Sequence, residues 1–169
     1  DPWSTPQVSW GDLPGWFRSN GTEQFAHDWQ AGDIITHSGP SAVIWTSPGA
    51  GTVDITAGIW ATRDLGRLNY AALTAVSPGL DFLGDAFVGV GYSFDRENPA
   101  ILSAENYPVV AGQQIVLEIP SYDNVGDYAG VNLTIEFTPV PEPEHWAVLS
   151  GLALAAFGVR KRIRRHSAQ

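Results

Sequence analysis

The sequence predicts an all-β fold, an antiparallel β-sandwich of jelly-roll type, followed by a C-terminal hydrophobic helix. Short apolar runs separated by glycine- and proline-rich turns recur through residues 1–139, which is the pattern of a sandwich or barrel. No helical periodicity of useful length occurs before residue 140. The last thirty residues differ in kind, because an uncharged apolar stretch at 146–159 ends in a basic cluster.

The strongest strand signal lies at residues 52–62, where apolar and polar side chains alternate along the whole segment. This period of two predicts a half-buried strand, with Val53 and Ile55 on the core side. Trp60 falls in the polar half of the alternation and is therefore predicted to project outward. The other predicted strands are 42–46, 67–76, 86–94, 100–103, 113–119 and 131–137.

Composition narrows the function classes. The absence of cysteine excludes disulfide bonds, thiol catalysis and thiolate metal sites. Residues 1–140 hold four arginines against sixteen aspartates and glutamates, and this acidity argues against nucleic-acid binding. No Gly-x-Ser-x-Gly turn occurs and no spacing of carboxylates singles out a catalytic pair, so a non-enzymatic protein is predicted. Because methionine is absent, we also expect an export signal upstream of Asp1.

Six of the seven tryptophans lie in the predicted sandwich. Flat aromatic faces suit stacking on the C–H surfaces of sugars, but a large ring also serves well in a core. Trp45 lies inside a strand and is predicted to be core. Trp60 is the best ligand-facing candidate. Trp10, Trp16 and Trp29 fit either role.

A candidate metal site lies on one loop near the end of the sandwich, where Asp123, Asn124 and Asp127 stand close together. Clustered oxygen ligands in an acidic domain suit calcium, a hard cation that prefers carboxylates and carbonyls. The spacing lacks the helical-loop calcium motif, and a solvated Asx-rich turn is the other interpretation. Calcium is the one cofactor that the sequence suggests.

The tail at 140–169 combines an extended Pro-Glu-Pro motif, an apolar segment and a basic end. Fourteen apolar residues at a rise of about 1.5 Å span roughly 21 Å, short of the roughly 30 Å hydrocarbon core. Long flanking side chains extend such a span by reaching the interfaces. The motif is Pro141, Glu142 and Pro143; the predicted membrane segment includes Trp146, Leu149, Leu152, Leu154 and Phe157; the basic end holds Arg160, Lys161, Arg162, Arg164 and Arg165.

This tail resembles the PEP-CTERM sorting signal of exopolysaccharide-producing Gram-negative bacteria. The resemblance implies that exosortase, a membrane protease-transpeptidase, recognises the Pro-Glu-Pro motif and removes the tail during export. It also implies that the helix enters the membrane before processing, with the basic end on the cytoplasmic side. A tail retained as a permanent anchor is the alternative.

The preceding domain resembles the small jelly-roll domains that often stand before this tag and, more distantly, the sandwiches of carbohydrate-binding modules. The residues that carry this second resemblance are Trp45 to Val53, Gly112 to Ile115, the loop Asp123 to Asp127, and Gly130 to Ile135.

Together these features predict an ectodomain at 1–139 and a sorting segment at 140–169. The predicted function is that of an exported, non-enzymatic protein of the cell surface or extracellular matrix, associated with an exopolysaccharide or surface glycan. A polysaccharide-modifying enzyme and a membrane-anchored adhesin are the alternatives.

Overall fold

The computed structural model describes residues 15–22, 28–39, 42–62, 66–122 and 127–140. The chain divides into two compact units, Asp1–Thr138 and Pro139–Gln169. Nine strands and no helix form the described part. They are β1 (Trp16–Arg18), β2 (Ile34–His37), β3 (Ala42–Thr46), β4 (Gly51–Ala61), β5 (Leu68–Val76), β6 (Leu80–Gly89), β7 (Ala100–Val109), β8 (Gln114–Glu118) and β9 (Tyr128–Pro139).

The strands form two sheets. The five-stranded sheet has the order β1-β2-β9-β4-β7, and the four-stranded sheet has the order β3-β8-β5-β6. Apart from β1, these are the two four-stranded orders of a jelly roll built from two Greek keys. The antiparallel β-sandwich of jelly-roll type is therefore confirmed.

The core lies between the two sheets and is built from alternate residues of the strands. Val53, Ile55 and Ile59 of β4 face Leu73 of β5 and Leu117 of β8 across it, all with almost no solvent exposure. Burying each large aliphatic side chain stabilises the fold by about 1.5–3 kcal/mol. The alternation predicted for residues 52–62 is confirmed on its apolar side.

A second apolar cluster covers part of the outer face of the five-stranded sheet. On β9, Ala129 and Val131 belong to the core, so Tyr128 points to the opposite, outer face. The residues of this second group, called the covered cluster, are Phe17, Trp29, Ile35 and Tyr128. Trp29, from the loop between β1 and β2, makes edge-to-face contact with Tyr128 at a centroid distance of 4.9 Å.

Several predicted boundaries were wrong. The strand expected at 86–94 runs instead from Leu80 to Gly89, and β7 continues to Val109 rather than ending at 103. The short strands β1 and β2 were not predicted. These differences do not alter the fold class, because β2 is one of the strands of the jelly-roll order and β1 only adds a strand beside it.

From residue 141 onward the predicted sorting segment lies outside the described residues, including the Pro141–Pro143 motif, the apolar stretch 146–159 and the basic end. Within the described ranges, no helix has the length and apolarity needed to span a membrane.

Candidate functional site

Four aromatic side chains meet on the outer face of the four-stranded sheet. Tyr70 and Phe87 are direct partners in the β5–β6 ladder, and their rings lie 5.1 Å apart. Their neighbours Ala71 and Val88 belong to the core, so strand alternation directs both rings away from it. Two further rings join them, and the group is called the aromatic corner here: Tyr70, Phe87, Tyr92 and Tyr122.

Two connections bring the outer rings of the corner into place. The chain turns back after β6, where the Tyr92 N–H donates to the Gly89 carbonyl at 3.0 Å. Gly89 has φ +120°, and a Cβ there would lie 2.2 Å from the Arg67 carbonyl oxygen, so this turn requires glycine. On the other side, Ser121 bridges to Asn69 and sets Tyr122 beside Phe87.

The rings of the corner are inclined rather than coplanar. Tyr92 stacks on Phe87 with an interplanar angle of 27° at 5.7 Å. Tyr122 meets the same Phe87 ring edge-on, at 87° and 5.1 Å. Tyr92 and Tyr122 are 45% and 62% exposed. The corner therefore presents two accessible phenol rings, one nearly parallel to Phe87 and the other nearly perpendicular to it.

Two carboxylates lie in the next cross-strand row of the same face. Asp85 of β6 and Glu118 of β8 both pair with Ala72 of β5, so the two carboxylates flank this buried alanine on the same face. Burial and a hydrogen bond donated to the Asp85 carboxylate raise the pKa of Tyr70. Neutral tyrosine therefore donates to Asp85, and the remaining lone pairs of both carboxylates can accept from a ligand.

The exposed apolar surface continues along β6 beyond the carboxylates. Phe82, paired with Thr74, is 60% exposed. Leu80, paired with Val76, is also exposed. The outer face of the β5–β6 hairpin thus alternates between aromatic and acidic rows.

A cavity of about 580 Å³ adjoins the corner at the end of the sandwich, a volume within the range of ligand pockets. Tyr92 belongs both to its wall and to the corner. Two carboxylates, Asp28 and Asp95, also line it. The Asp95 carboxylate accepts from the Asn98 N–H at 2.8 Å, and that of Asp28 lies 3.8 Å from Arg96 Nε.

The structure corrects the prediction for Trp60. Its side chain does lie on the outer side of β4, but it is only 5% exposed, so the expected solvent-facing position was wrong. Arg96 covers the ring with its guanidinium carbon 5.1 Å from the centroid. The indole also lies against the backbone of β9, where a Cβ on Gly130 would be 2.0 Å from Trp60 Cε2.

Arg96 is held over Trp60 by an ion pair and a backbone contact. Its Nη1 donates to Asp33 Oδ1 at 2.8 Å, and its Nη2 donates to Asp33 Oδ2 and to the Asp28 carbonyl. Burial alone would raise the pKa of the Asp33 carboxyl. The hydrogen bonds that it accepts from Arg96 and from the Gln30 N–H, together with the positive charge of Arg96, outweigh burial and hold the pKa below its ordinary value. Arg96 therefore connects Asp28 and Asp33, which precede β2, with Trp60 of β4 on the outer face of the five-stranded sheet.

The other tryptophans take structural positions where they are described. Trp16 and Trp45 are partly buried and pack against the core, which agrees with the core role expected of Trp45. Trp29 is buried in the covered cluster. Trp10 lies outside the described residues.

The candidate calcium loop is described only at its last member. Asp127 is buried, and its carboxylate accepts from the Tyr128 N–H at 2.8 Å while its own N–H donates to Ser38 Oγ at 3.0 Å. Asp123 and Asn124 lie outside the described residues. Among the described residues, no group of three or more His, Cys, Asp or Glu is placed to hold a metal ion. Calcium binding therefore stays a prediction.

Comparison with known proteins gives similar solved structures. The chain is similar to the CBM36-1 domain of a multidomain xylanase from the hindgut metagenome of Trinervitermes trinervoides (16% identity, 72% of this chain and 90% of that one, TM-score 0.42). It is similar to the carbohydrate-binding module CBM36 in complex with calcium and xylotriose (14%, 75% and 95%, TM-score 0.36). A third is CsCBM6-3 from Clostridium stercorarium in complex with cellobiose (17%, 80% and 95%, TM-score 0.37).

No family model and no curated protein matches the chain. At these TM-scores the solved structures carry no argument about ligands, and the fold rests on the strand order described above.

Proposed function

We propose that this protein is an exported, non-enzymatic glycan-binding module that contacts sugar through the aromatic corner. The observation that carries the proposal is the exposure of Tyr92 and Tyr122 around a shared ring, with hydrogen-bond acceptors in the adjoining row. Flat rings stack on the C–H faces of a pyranose. The Asp85 and Glu118 carboxylates accept hydrogen bonds from its hydroxyls.

The composition of this face favours a sugar over a protein partner. Contiguous exposed apolar groups on a soluble domain mark an interaction site. The centres of protein–protein interfaces are depleted in charged residues, whereas here two carboxylates lie between the aromatic corner and Phe82. The aromatic rings can stack on the C–H faces of sugar residues, and the carboxylates between them can accept hydrogen bonds from the sugar hydroxyls.

The proposed delivery of the module rests on the tail. The Pro-Glu-Pro motif, apolar stretch and basic end support sorting by exosortase to the cell surface or extracellular matrix, where the sandwich associates with exopolysaccharide. Intact-mass measurement of the exported protein tests this. We expect a mass lacking residues 146–169, and a mass that retains them identifies the anchored adhesin instead.

Binding to glycans tests the main proposal. Soluble polysaccharides in affinity gel electrophoresis and oligosaccharides in calorimetry would be compared for the native chain and Tyr122→Ala. We expect at least one glycan to bind the native chain and to bind Tyr122→Ala about tenfold more weakly, a loss of about 1.4 kcal/mol.

Ile101→Ala is the matched control. Ile101 is as exposed as Tyr122 but belongs to β7 of the five-stranded sheet, so its removal changes apolar exposure without touching the corner. Equal affinity losses in the two variants, or no glycan bound at all, would refute the proposal.

The cavity at the end of the sandwich keeps an enzymatic alternative testable, because Asp28 and Asp95 both line it. Glycoside hydrolysis requires two carboxyl groups that flank the scissile bond. Prolonged incubation with each bound polysaccharide should release no reducing ends. Release that disappears in Asp95→Asn would establish the enzyme instead.

A further inference from the structure

We infer that the aromatic corner takes a single, uncharged glycan chain, and that it accepts neither a crystalline polysaccharide surface nor a polyanionic glycan. This inference rests on the proposed function and names the ligand class of the same site. Three features of the corner carry it: the inclination of its rings, the charge beside it and the cavity that continues from it.

The inclination of the rings selects a separate chain over a flat surface. The face of a crystalline polysaccharide is planar and contacts several rings at once only when those rings are coplanar. Tyr92 lies nearly parallel to Phe87, whereas Tyr122 stands almost perpendicular to it. A planar surface laid on one exposed ring therefore meets the other edge-on and is held away from the sheet.

The same inclination of the rings suits a single glycan chain. Both exposed rings lie within 6 Å of Phe87 by their centroids, so they form one small site of the size that a single sugar chain can cover. Neither the Tyr92 nor the Tyr122 hydroxyl has a hydrogen-bond partner among the described residues. Each is therefore free to donate to a ring or hydroxyl oxygen of the sugar.

The charge beside the corner selects against anionic sugars. Asp85 and Glu118 lie in the row next to Tyr70 and Phe87, and the whole chain carries a net charge of −9. Carboxylates placed against uronate or sulfate groups repel them, and a site gains specificity through such repulsion as much as through attraction. Neutral hydroxyls are instead good donors to these carboxylates.

The cavity offers a path along which a bound glycan chain can continue beyond the corner. Tyr92 forms part of the cavity wall as well as the corner, so a glycan chain stacked on Tyr92 can continue toward Asp28 and Asp95 in that wall. Both carboxylates offer acceptors to hydroxyls, and Asp95 repels anionic groups, whereas Arg96 partly offsets the charge of Asp28.

Three probes test the ligand class on the full chain: a panel of soluble neutral β-linked polysaccharides, a polyuronate, and crystalline cellulose in a pull-down. All are used at low salt under two conditions. Added calcium supplies the cation predicted for the loop at 123–127, and a chelator prevents any metal from bridging carboxylates. We expect a neutral chain to bind, the polyuronate to bind at least tenfold more weakly, and crystalline cellulose to retain no more native chain than Tyr122→Ala.

The charge argument has its own variant. Asp85→Asn with Glu118→Gln keeps acceptor oxygens and removes both charges. We expect the ratio of polyuronate affinity to neutral-glycan affinity to rise at least threefold, and added salt to narrow the gap in the native chain.

The outcomes distinguish a wrong ligand class from a wrong proposed function. Retention on crystalline cellulose that is lost in Tyr122→Ala, or polyuronate binding equal to that of the neutral chain, overturns the ligand class and leaves glycan binding intact. Failure of all three probes to bind, with calcium as well as with the chelator, refutes the proposed function and this inference together.

Discussion

The outer faces of the two sheets both carry aromatic side chains, but only one leaves them accessible. On the five-stranded sheet the Trp29 side chain packs on Tyr128, and the Arg96 side chain lies over Trp60. On the four-stranded sheet the rings of the aromatic corner stay exposed. An outward position on a strand is therefore not enough to make an aromatic residue a ligand contact. What decides is whether another segment of the chain covers it.

Truncating one ring on each face should give the largest contrast. Trp29→Ala empties a buried site and should reduce the free energy of unfolding by about 3–5 kcal/mol. Tyr122→Ala removes an exposed ring and should change it by no more than about 0.5 kcal/mol. Denaturant unfolding measures both, and equal losses would remove the distinction between the faces.

Adding a methyl group under the covered face comes next. A Cβ at position 130 would overlap the Trp60 ring, so Gly130→Ala should lower the free energy of unfolding by about 3 kcal/mol through overpacking. Gly58→Ala is the control, since its Cβ would meet Pro99 Cγ at an ordinary 3.4 Å. Thermal unfolding should separate the two variants, and a similar midpoint for both would place Trp60 elsewhere.

The ion pair over the covered face predicts a pH dependence. Because the pKa of Asp33 is lowered in the folded state, its stabilisation is present above its unfolded pKa and is lost as the pH falls through the lowered value. Arg96→Met should cost about 2 kcal/mol near neutral pH, between a surface pair and a buried one. Unfolding measured from pH 7 down to about pH 2 should show the native and variant stabilities converging, and parallel curves would contradict the pair.

The smallest effect is expected at the far end of the exposed face. Phe82 lies beyond the carboxylate row, so Phe82→Ala should weaken binding of long glycans about two- to threefold and leave short oligosaccharides unaffected. Calorimetry with an oligosaccharide length series tests this. An equal loss at every length would place Phe82 within the corner instead.

Sequence reasoning located most strands because their alternation is strong. The inward residues of β4 were predicted correctly, and so was the outward side of Trp60. Its burial could not be predicted, because the covering residues Trp29 and Arg96 lie far from it in sequence and periodicity says nothing of long-range coverage.

The misplaced strands have local causes. Leu80–Gly89 contains two aspartates and an internal glycine, residue types that are depleted in strands, and a register shift opposite Leu73 breaks its alternation. β7 is an edge strand, where Pro108 is tolerated because no neighbour needs its missing N–H. β1 and β2 have only three and four residues, too few to show a period.

The aromatic corner could not be predicted from the sequence, for a related reason. Tyr70 and Phe87 meet only in the register of the β5–β6 hairpin, and Tyr92 and Tyr122 arrive from connections without any periodic signal. Knowledge of that register would have found the first pair, but only the structure brings all four rings together.

Hydroxyl-radical footprinting with and without a bound neutral glycan tests most directly which outer face meets the ligand. We predict that Tyr92 and Tyr122 react in the free protein and become protected in the complex, while Trp29 and Trp60 stay unreactive in both states. Protection at Ile101 with unchanged reactivity at the two tyrosines would place the ligand on the five-stranded sheet and contradict the account.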